Sequence, residues 1–114
     1  MILYKEDIKT KSEFNSAGEE KLYLSDLKDF AKINPKLRMY SLAELKPGEE
    51  VGFHIHNNES EMYYILSGEG IYDDNGTEYE VHPGMVTHTP SGDGHGIRNT
   101  GTDMLRFIAL IILD

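Results

Sequence analysis

The sequence predicts an all-β domain, a small sandwich or barrel of short antiparallel strands. Three observations point there. From residue 37 onward, short runs rich in β-branched and aromatic residues alternate with turn signals, which is the pattern of a domain built from many short strands. Asn75-Gly76 separates GIYDD (70–74) from TEYEV (77–81), and both central positions of such a turn accept positive φ, so a tight hairpin is expected. The chain has 114 residues, with no internal repeat, linker or low-complexity stretch, which suits one domain.

Residues 1–36 read as a short mixed N-terminal segment, and residues 37–114 as the β domain. Ile2, Leu3 and Tyr4 are placed to start a strand, and Asn15 to Glu20 is a polar loop around Gly18. Ser25 or Asp26 is a candidate cap for a short helix through Lys32, with Leu27, Phe30 and Ala31 on one side; Asn34-Pro35 would end it. Packing or a dimer arm is the role expected of this segment. The strands then follow in order, each closed by a turn signal: LRMYSLAEL (37–45) before Lys46-Pro47-Gly48, VGFHIH (51–56) before Asn57-Asn58, and EMYYIL (61–66) before Ser67-Gly68. After the Asn75-Gly76 hairpin come MVTHT (85–89), opened by Pro83-Gly84, then HGIRN (95–99) and MLRFIALIIL (104–113).

Composition removes several functions. There are no cysteines, so disulfides, thiolate metal sites and cysteine nucleophiles are excluded. The formal net charge is −9, and the few Lys and Arg are scattered, which argues against nucleic acid as a partner. The run from Phe107 to Leu113 is too short to cross a bilayer. MILYKEDIKT carries no apolar signal-peptide core, so a cytoplasmic location is the expectation.

The chemistry concentrates in VGFHIHNNESE. In a strand, side chains two apart share a face, so His54 and His56 point the same way, roughly 7 Å apart along the chain. Asn57 to Ser60 has turn composition, and Glu61 opens the returning strand. Two imidazoles and a carboxylate converging from neighbouring strands are donors a first-row divalent ion accepts. By itself His-x-His also fits a solvated strand face. His82 precedes Pro83 and reads as a surface residue, the face of His88 is ambiguous, and His95 opens a strand after Gly92-Asp93-Gly94.

The wider spacing adds to this. Gly48, His54, His56, Glu61 and Gly68 stand with five, one, four and six residues between them; fifteen residues later come Gly84, Pro90, Gly92, His95 and Asn99, separated by five, one, two and three. This arrangement resembles the two motifs of the cupin superfamily, with every defining position filled, and the short separation is similar to that of small single-domain microbial cupins. The resemblance covers residues 37 to 113. It implies an antiparallel jelly-roll barrel with His54, His56, Glu61 and His95 as ligands of one divalent transition metal ion. The position after Gly84 is often acidic in the family and is Met85 here; it falls in a surface turn and touches no ligand position. Asn99 is expected to steady a loop by hydrogen bonding.

Three imidazoles and one carboxylate leave about two positions open on a six-coordinate ion, and the set suits Mn, Fe, Co, Ni or Zn. Such an ion can bind substrate, water or dioxygen. By strand parity Tyr63 and Ile65 share the face of Glu61, Phe53 and Ile55 face away, and Ile97 shares the face of His95 with Arg98 outside. On the last strand either Leu105, Phe107, Ala109 and Ile111 or the intervening set faces inward; the first is preferred because it leaves Arg106 outside. Tyr63 is the candidate catalytic residue, as proton donor or substrate hydrogen bond, against the alternative of a packed tyrosine with a satisfied hydroxyl. Tyr40 and His88 are lesser candidates for the pocket wall. The expected function is a metal-dependent enzyme on a small polar organic molecule, of dioxygenase, decarboxylase or isomerase type. The alternative is a non-catalytic module that binds a sugar or carboxylate through the metal. A storage role fits the complete ligand set less well. A homodimer is expected, with residues 1 to 8 in its interface.

Overall fold

The computed structural model describes residues 2, 4–7, 9–14, 21–26 and 34–114, the stretches 9–14 and 21–26 by their backbone alone. Among these residues a short 3-10 turn, Lys5–Asp7, precedes ten strands: β1 (Lys9–Phe14), β2 (Lys21–Asp26), β3 (Leu37–Leu45), β4 (Glu50–Ile55), β5 (Glu59–Ser67), β6 (Gly70–Asp74), β7 (Thr77–Val81), β8 (Val86–Thr89), β9 (Gly94–Asn99) and β10 (Leu105–Leu113). They form a six-stranded sheet, β1-β2-β3-β10-β5-β8, and a four-stranded sheet, β4-β9-β6-β7. All pairings are antiparallel. The all-β jelly-roll expectation holds, with the sheets hydrogen-bonded separately and packed face to face instead of closing into one continuous barrel.

Alternation along the strands sets which face is buried. On β10, Leu105, Phe107, Ala109 and Ile111 are buried while Arg106 is exposed, the preferred parity. Leu105, Phe107 and Ala109 meet Ala43 and Leu45 of β3, Tyr63 and Ile65 of β5, and Tyr72, Val81 and Ile97 from the opposite sheet. Burying each large apolar side chain contributes about 1.5–3 kcal/mol. Register lines up rows across the inner face of the larger sheet. Ser41, Ala109, Tyr63 and Thr87 form one row, and Met39, Ile111, Glu61 and Thr89 the next. Glu61 thus replaces an apolar residue at one end of the core.

The turns follow their residues. Asn75 and Gly76 both have positive φ (50° and 102°) between Asp74 and Thr77, which pair directly, as the hairpin reading requires. Asn99 is buried; its side chain donates to Leu45 O (2.9 Å) and Asp103 O (2.8 Å) and accepts from Gly101 N (2.9 Å), pinning the loop before β10.

The N-terminal segment departs from expectation. Ile2 and Tyr4 are not in a strand, because the Asp7 carboxylate accepts from Tyr4 N (3.0 Å) and Asp7 N donates to Tyr4 O (2.9 Å), closing a turn; Leu3 lies outside the described residues. Ser25 and Asp26 do not cap a helix: they pair as strand with Leu42 and Ser41. The rest of that expected helix, 27–33, lies outside the described residues. Among the described residues no helix is long and apolar enough to cross a membrane.

Candidate metal centre

Four side chains from separate parts of the chain meet between the sheets. His54 and His95 pair directly across β4 and β9, in the smaller sheet. Glu61 faces inward from β5 in the larger one. His56 lies just past β4, where its backbone N donates to Asp93 O (3.1 Å) and its carbonyl accepts from Gly92 N (2.7 Å). Those two bonds lace the loop after β4 to the loop before β9, so the histidines of both motifs are set by one backbone contact.

Gly94 and Gly96 allow this approach. A bulge in β4 sets Gly52 and Phe53 opposite Gly96, since Val51 pairs with Ile97 and His54 with His95. A Cβ at Gly96 would lie 3.0–3.2 Å from the backbone of Val51 and Phe53, and one at Gly94 would enter the Phe53 ring. The bulge in turn aims the Gly52 carbonyl at His54.

The donor atoms converge. His56 Nε2 is 3.0 Å from His54 Nε2 and 3.1 Å from His95 Nε2. Glu61 Oε1 is 2.7 Å from His95 Nε2, 3.0 Å from His56 Nε2 and 4.0 Å from His54 Nε2. The other ring nitrogens are engaged from outside: His54 Nδ1 with Gly52 O (2.8 Å), His56 Nδ1 with Glu59 Oε2 (2.7 Å), and His95 Nδ1 with the Tyr72 hydroxyl (2.7 Å). A carbonyl and an ionised carboxylate only accept, so Nδ1 of His54 and of His56 carries the proton. In the neutral rings Nε2 is then a bare lone pair. The 3.0 Å contact between His54 Nε2 and His56 Nε2 is therefore not a hydrogen bond between histidines. It sets two acceptors face to face beside the Glu61 carboxylate, an arrangement suited to a shared cation. Burial, ahead of the neighbouring His95 and His56 rings, lowers the pKa of His54 and favours the neutral ring that ligation needs.

The spacing fits an ion. Metal–N and metal–O bonds of about 2.0–2.2 Å place neighbouring octahedral ligands roughly 3 Å apart and opposite ones roughly 4.2 Å apart. The contacts of 2.7–3.1 Å match the first distance, and all four donor atoms lie within 4.8 Å of one another.

Surrounding groups hold the ligands. Glu59 receives a two-pronged contact from Arg38, Nε to Oε1 at 2.8 Å and Nη2 to Oε2 at 2.9 Å. Partial burial works against the Glu59 charge, but the hydrogen bonds from Arg38 and His56 outweigh it and hold its carboxyl below the usual range. The Tyr72 hydroxyl is 2.8 Å from Thr89 Oγ1 and so bridges Thr89 to His95 Nδ1. Burial raises the Tyr72 pKa and keeps the phenol protonated.

Tyr63 lies behind the ligands, its ring centroid 4.9 Å from that of His95 and 4.5 Å from that of Phe107. Burial, then the nearby Glu61 charge, drives the pKa of its hydroxyl well above the ordinary value. Tyr40 and His88 do not line the site. Tyr40 pairs with Leu110 and His88 with Met62 on the outer face of the larger sheet, because each stands one residue off the inward parity of Ser41 and Thr89. His82 is exposed.

Sequence reasoning missed Glu59, Arg38 and Tyr72. Glu59 carried a readable signal, since it stands two before Glu61 on one strand and shares its face. Tyr72 reaches His95 only through the pairing of β6 with β9.

The chain matches the Cupin domain family over residues 41–111. It is 41% identical over 96 residues to an oxalate-binding protein of Thermotoga maritima, a match covering 84% of this chain and 79% of that protein. Its fold is similar to the crystal structure of a predicted oxalate decarboxylase from Thermotoga maritima, with a TM-score of 0.91, 36% identity and both chains covered in full. A cupin conserved barrel protein of Salinispora arenicola, at 24% identity and TM-score 0.69 over 82% of this chain and 76% of that one, shares the fold alone. The family match spans more than half of the residues and contains His54, His56, Glu61 and His95, and the chain belongs to the cupin family.

Proposed function

We propose that the protein holds one divalent first-row metal ion on His54, His56, Glu61 and His95 and uses it to bind a small dicarboxylate of the oxalate class. The observation that carries this is the convergence of three imidazole nitrogens and one carboxylate oxygen, all within 4.8 Å of one another. An ion held by these four donors would, if six-coordinate, keep two positions for an outside ligand. A dicarboxylate with adjacent carboxyl groups fills two neighbouring positions as a chelate. The ion also supplies the positive charge that an acidic chain otherwise lacks. The likeness to an oxalate-binding protein at 41% identity supports the same ligand class.

Binding is favoured over turnover. Decarboxylating oxalate monoanion breaks the C–C bond, releases CO2 and needs a proton delivered to the remaining carbon to give formate. Glu59 accepts from both Arg38 and His56 and so has no proton to give, and Tyr63, the candidate donor, is packed against His95 and Phe107. In this reading Tyr63 steadies Glu61. The second reading, a decarboxylase, draws on the resemblance to the predicted oxalate decarboxylase. Calorimetry of oxalate, malonate and acetate against metal-loaded and metal-free protein, with CO2 and formate measured alongside, tests both. The expected result is oxalate binding that requires metal, is tighter than for malonate, and proceeds without CO2. Oxalate binding equally to metal-free protein would contradict the proposal. Stoichiometric CO2 and formate would establish turnover.

A homodimer is part of the same proposal. Ile2 and Tyr4 are exposed, as are Tyr64, Leu66 and Val86 on the outer side of β5 and β8.

A further inference from the structure

We propose that Glu59 is a positioning residue for the metal centre, and that Arg38, aimed by a bulge in β3, holds it in place. This rests on the metal-binding reading above. Ile111 of β10 pairs with Met39 and Ile112 with Leu37, so Arg38 is an extra residue on β3 with no partner in the β10 ladder. In an unbroken strand Arg38 would alternate outward between Leu37 and Met39. A bulge breaks that alternation and re-aims a side chain, and here the guanidinium spans to β5. There it meets both Glu59 oxygens at 2.8 and 2.9 Å, the fork geometry an arginine forms with a carboxylate. One of those oxygens also accepts from His56 Nδ1 at 2.7 Å.

The three residues form a line from the protein rim to the ligand set. Arg38 is half exposed, Glu59 is 13% exposed, and His56 is buried. Glu59 does two things for His56. It fixes the tautomer, so that Nε2 presents its lone pair inward, and its charge makes that nitrogen a stronger donor. Arg38 neutralises the buried end of this arrangement and removes rotational freedom from Glu59. His54 and His95 have only neutral outer partners, Gly52 O and the Tyr72 hydroxyl, so His56 is the imidazole with a charged support.

The test uses the full chain, stripped of metal and titrated with Co(II), whose absorption bands report ligand field and geometry. Glu59→Gln is expected to raise the Co(II) dissociation constant by about 10–100-fold and to shift the bands. Arg38→Met is expected to move both in the same direction by less, and Arg38→Lys to recover part of the loss. In the Glu59→Gln background, Arg38→Met should add almost nothing, because it acts through Glu59. Melting of the metal-free variants separates these effects from loss of fold. A folded Glu59→Gln protein with the parent affinity and bands would overturn the proposal, as would an Arg38→Met effect undiminished in the double variant. Should Glu59→Gln not fold, Arg38→Met decides alone, and an unchanged dissociation constant overturns it. Parent protein that takes up no Co(II) would instead defeat the metal-binding reading.

Discussion

At the scale of single residues, Tyr72 is the most informative side chain that touches no ligand atom of the site. Its hydroxyl links His95 to Thr89, and all three residues are buried. Tyr72→Phe keeps the ring and removes the link. The buried His95 Nδ1 then loses its hydrogen-bond partner, and a buried polar group without a partner costs about 1–3 kcal/mol. The expected outcome is a loss of metal affinity of about tenfold, read by competition with a chelator, together with a lower melting midpoint of the metal-free protein. Unchanged affinity would remove Tyr72 from the account of the site. At this scale the four candidate ligands that the structure brings together were legible through the motif resemblance, because motif spacing survives in one dimension. Their supports were less so. Glu59 shares a strand and a face with Glu61 and was within reach of parity. Arg38 and Gly52 depend on bulges, where one inserted residue reverses parity, and nothing local in Leu37-Arg38-Met39 or Val51-Gly52-Phe53 marks it.

At the scale of elements, β10 holds the larger sheet together, pairing with β3 on one side and β5 on the other. Phe107 sits at its centre, fully buried against Tyr63. Phe107→Ala is expected to cost about 3–5 kcal/mol in urea unfolding and to loosen Tyr63, which backs both Glu61 and His95. A loss under 1 kcal/mol would mean that the core is not organised around this strand. The parity of β10 was readable because Arg106 cannot easily face a core, and the β6–β7 hairpin because Asn75-Gly76 meets a backbone requirement. The first strands were not. β1, KTKSEF, has no apolar alternation, and its strand state comes from pairing with β2. Ser25 and Asp26 have good capping chemistry, but pairing with β3 satisfies their backbone instead. Local preference lost to a sheet edge that the sequence does not display.

At the scale of the whole molecule, two sheets close over a core that ends in a metal-shaped cluster of donors, and the outer face of the larger sheet remains apolar where β5 and β8 meet. Ile2 and Tyr4, which precede β1 in the chain, are exposed as well. The dimer proposal expects that removing residues 1–8 will lower the mass seen by light scattering from dimer to monomer. A truncated chain that stays dimeric would take those residues out of the interface. The all-β class is legible because strand spacing and turn residues recur from residue 37 onward, and the jelly roll follows from the motif resemblance alone. The reaction was not, because the same ligand set serves binding and catalysis. The central claim is that His54, His56, Glu61 and His95 hold a metal ion. Elemental analysis by mass spectrometry of untagged protein, beside the His56→Ala, Glu61→Ala double variant, tests it most directly. The account predicts one equivalent of a first-row transition metal in the parent and none in the folded variant. Equal metal in both proteins, or none in the parent even after reconstitution, would contradict it.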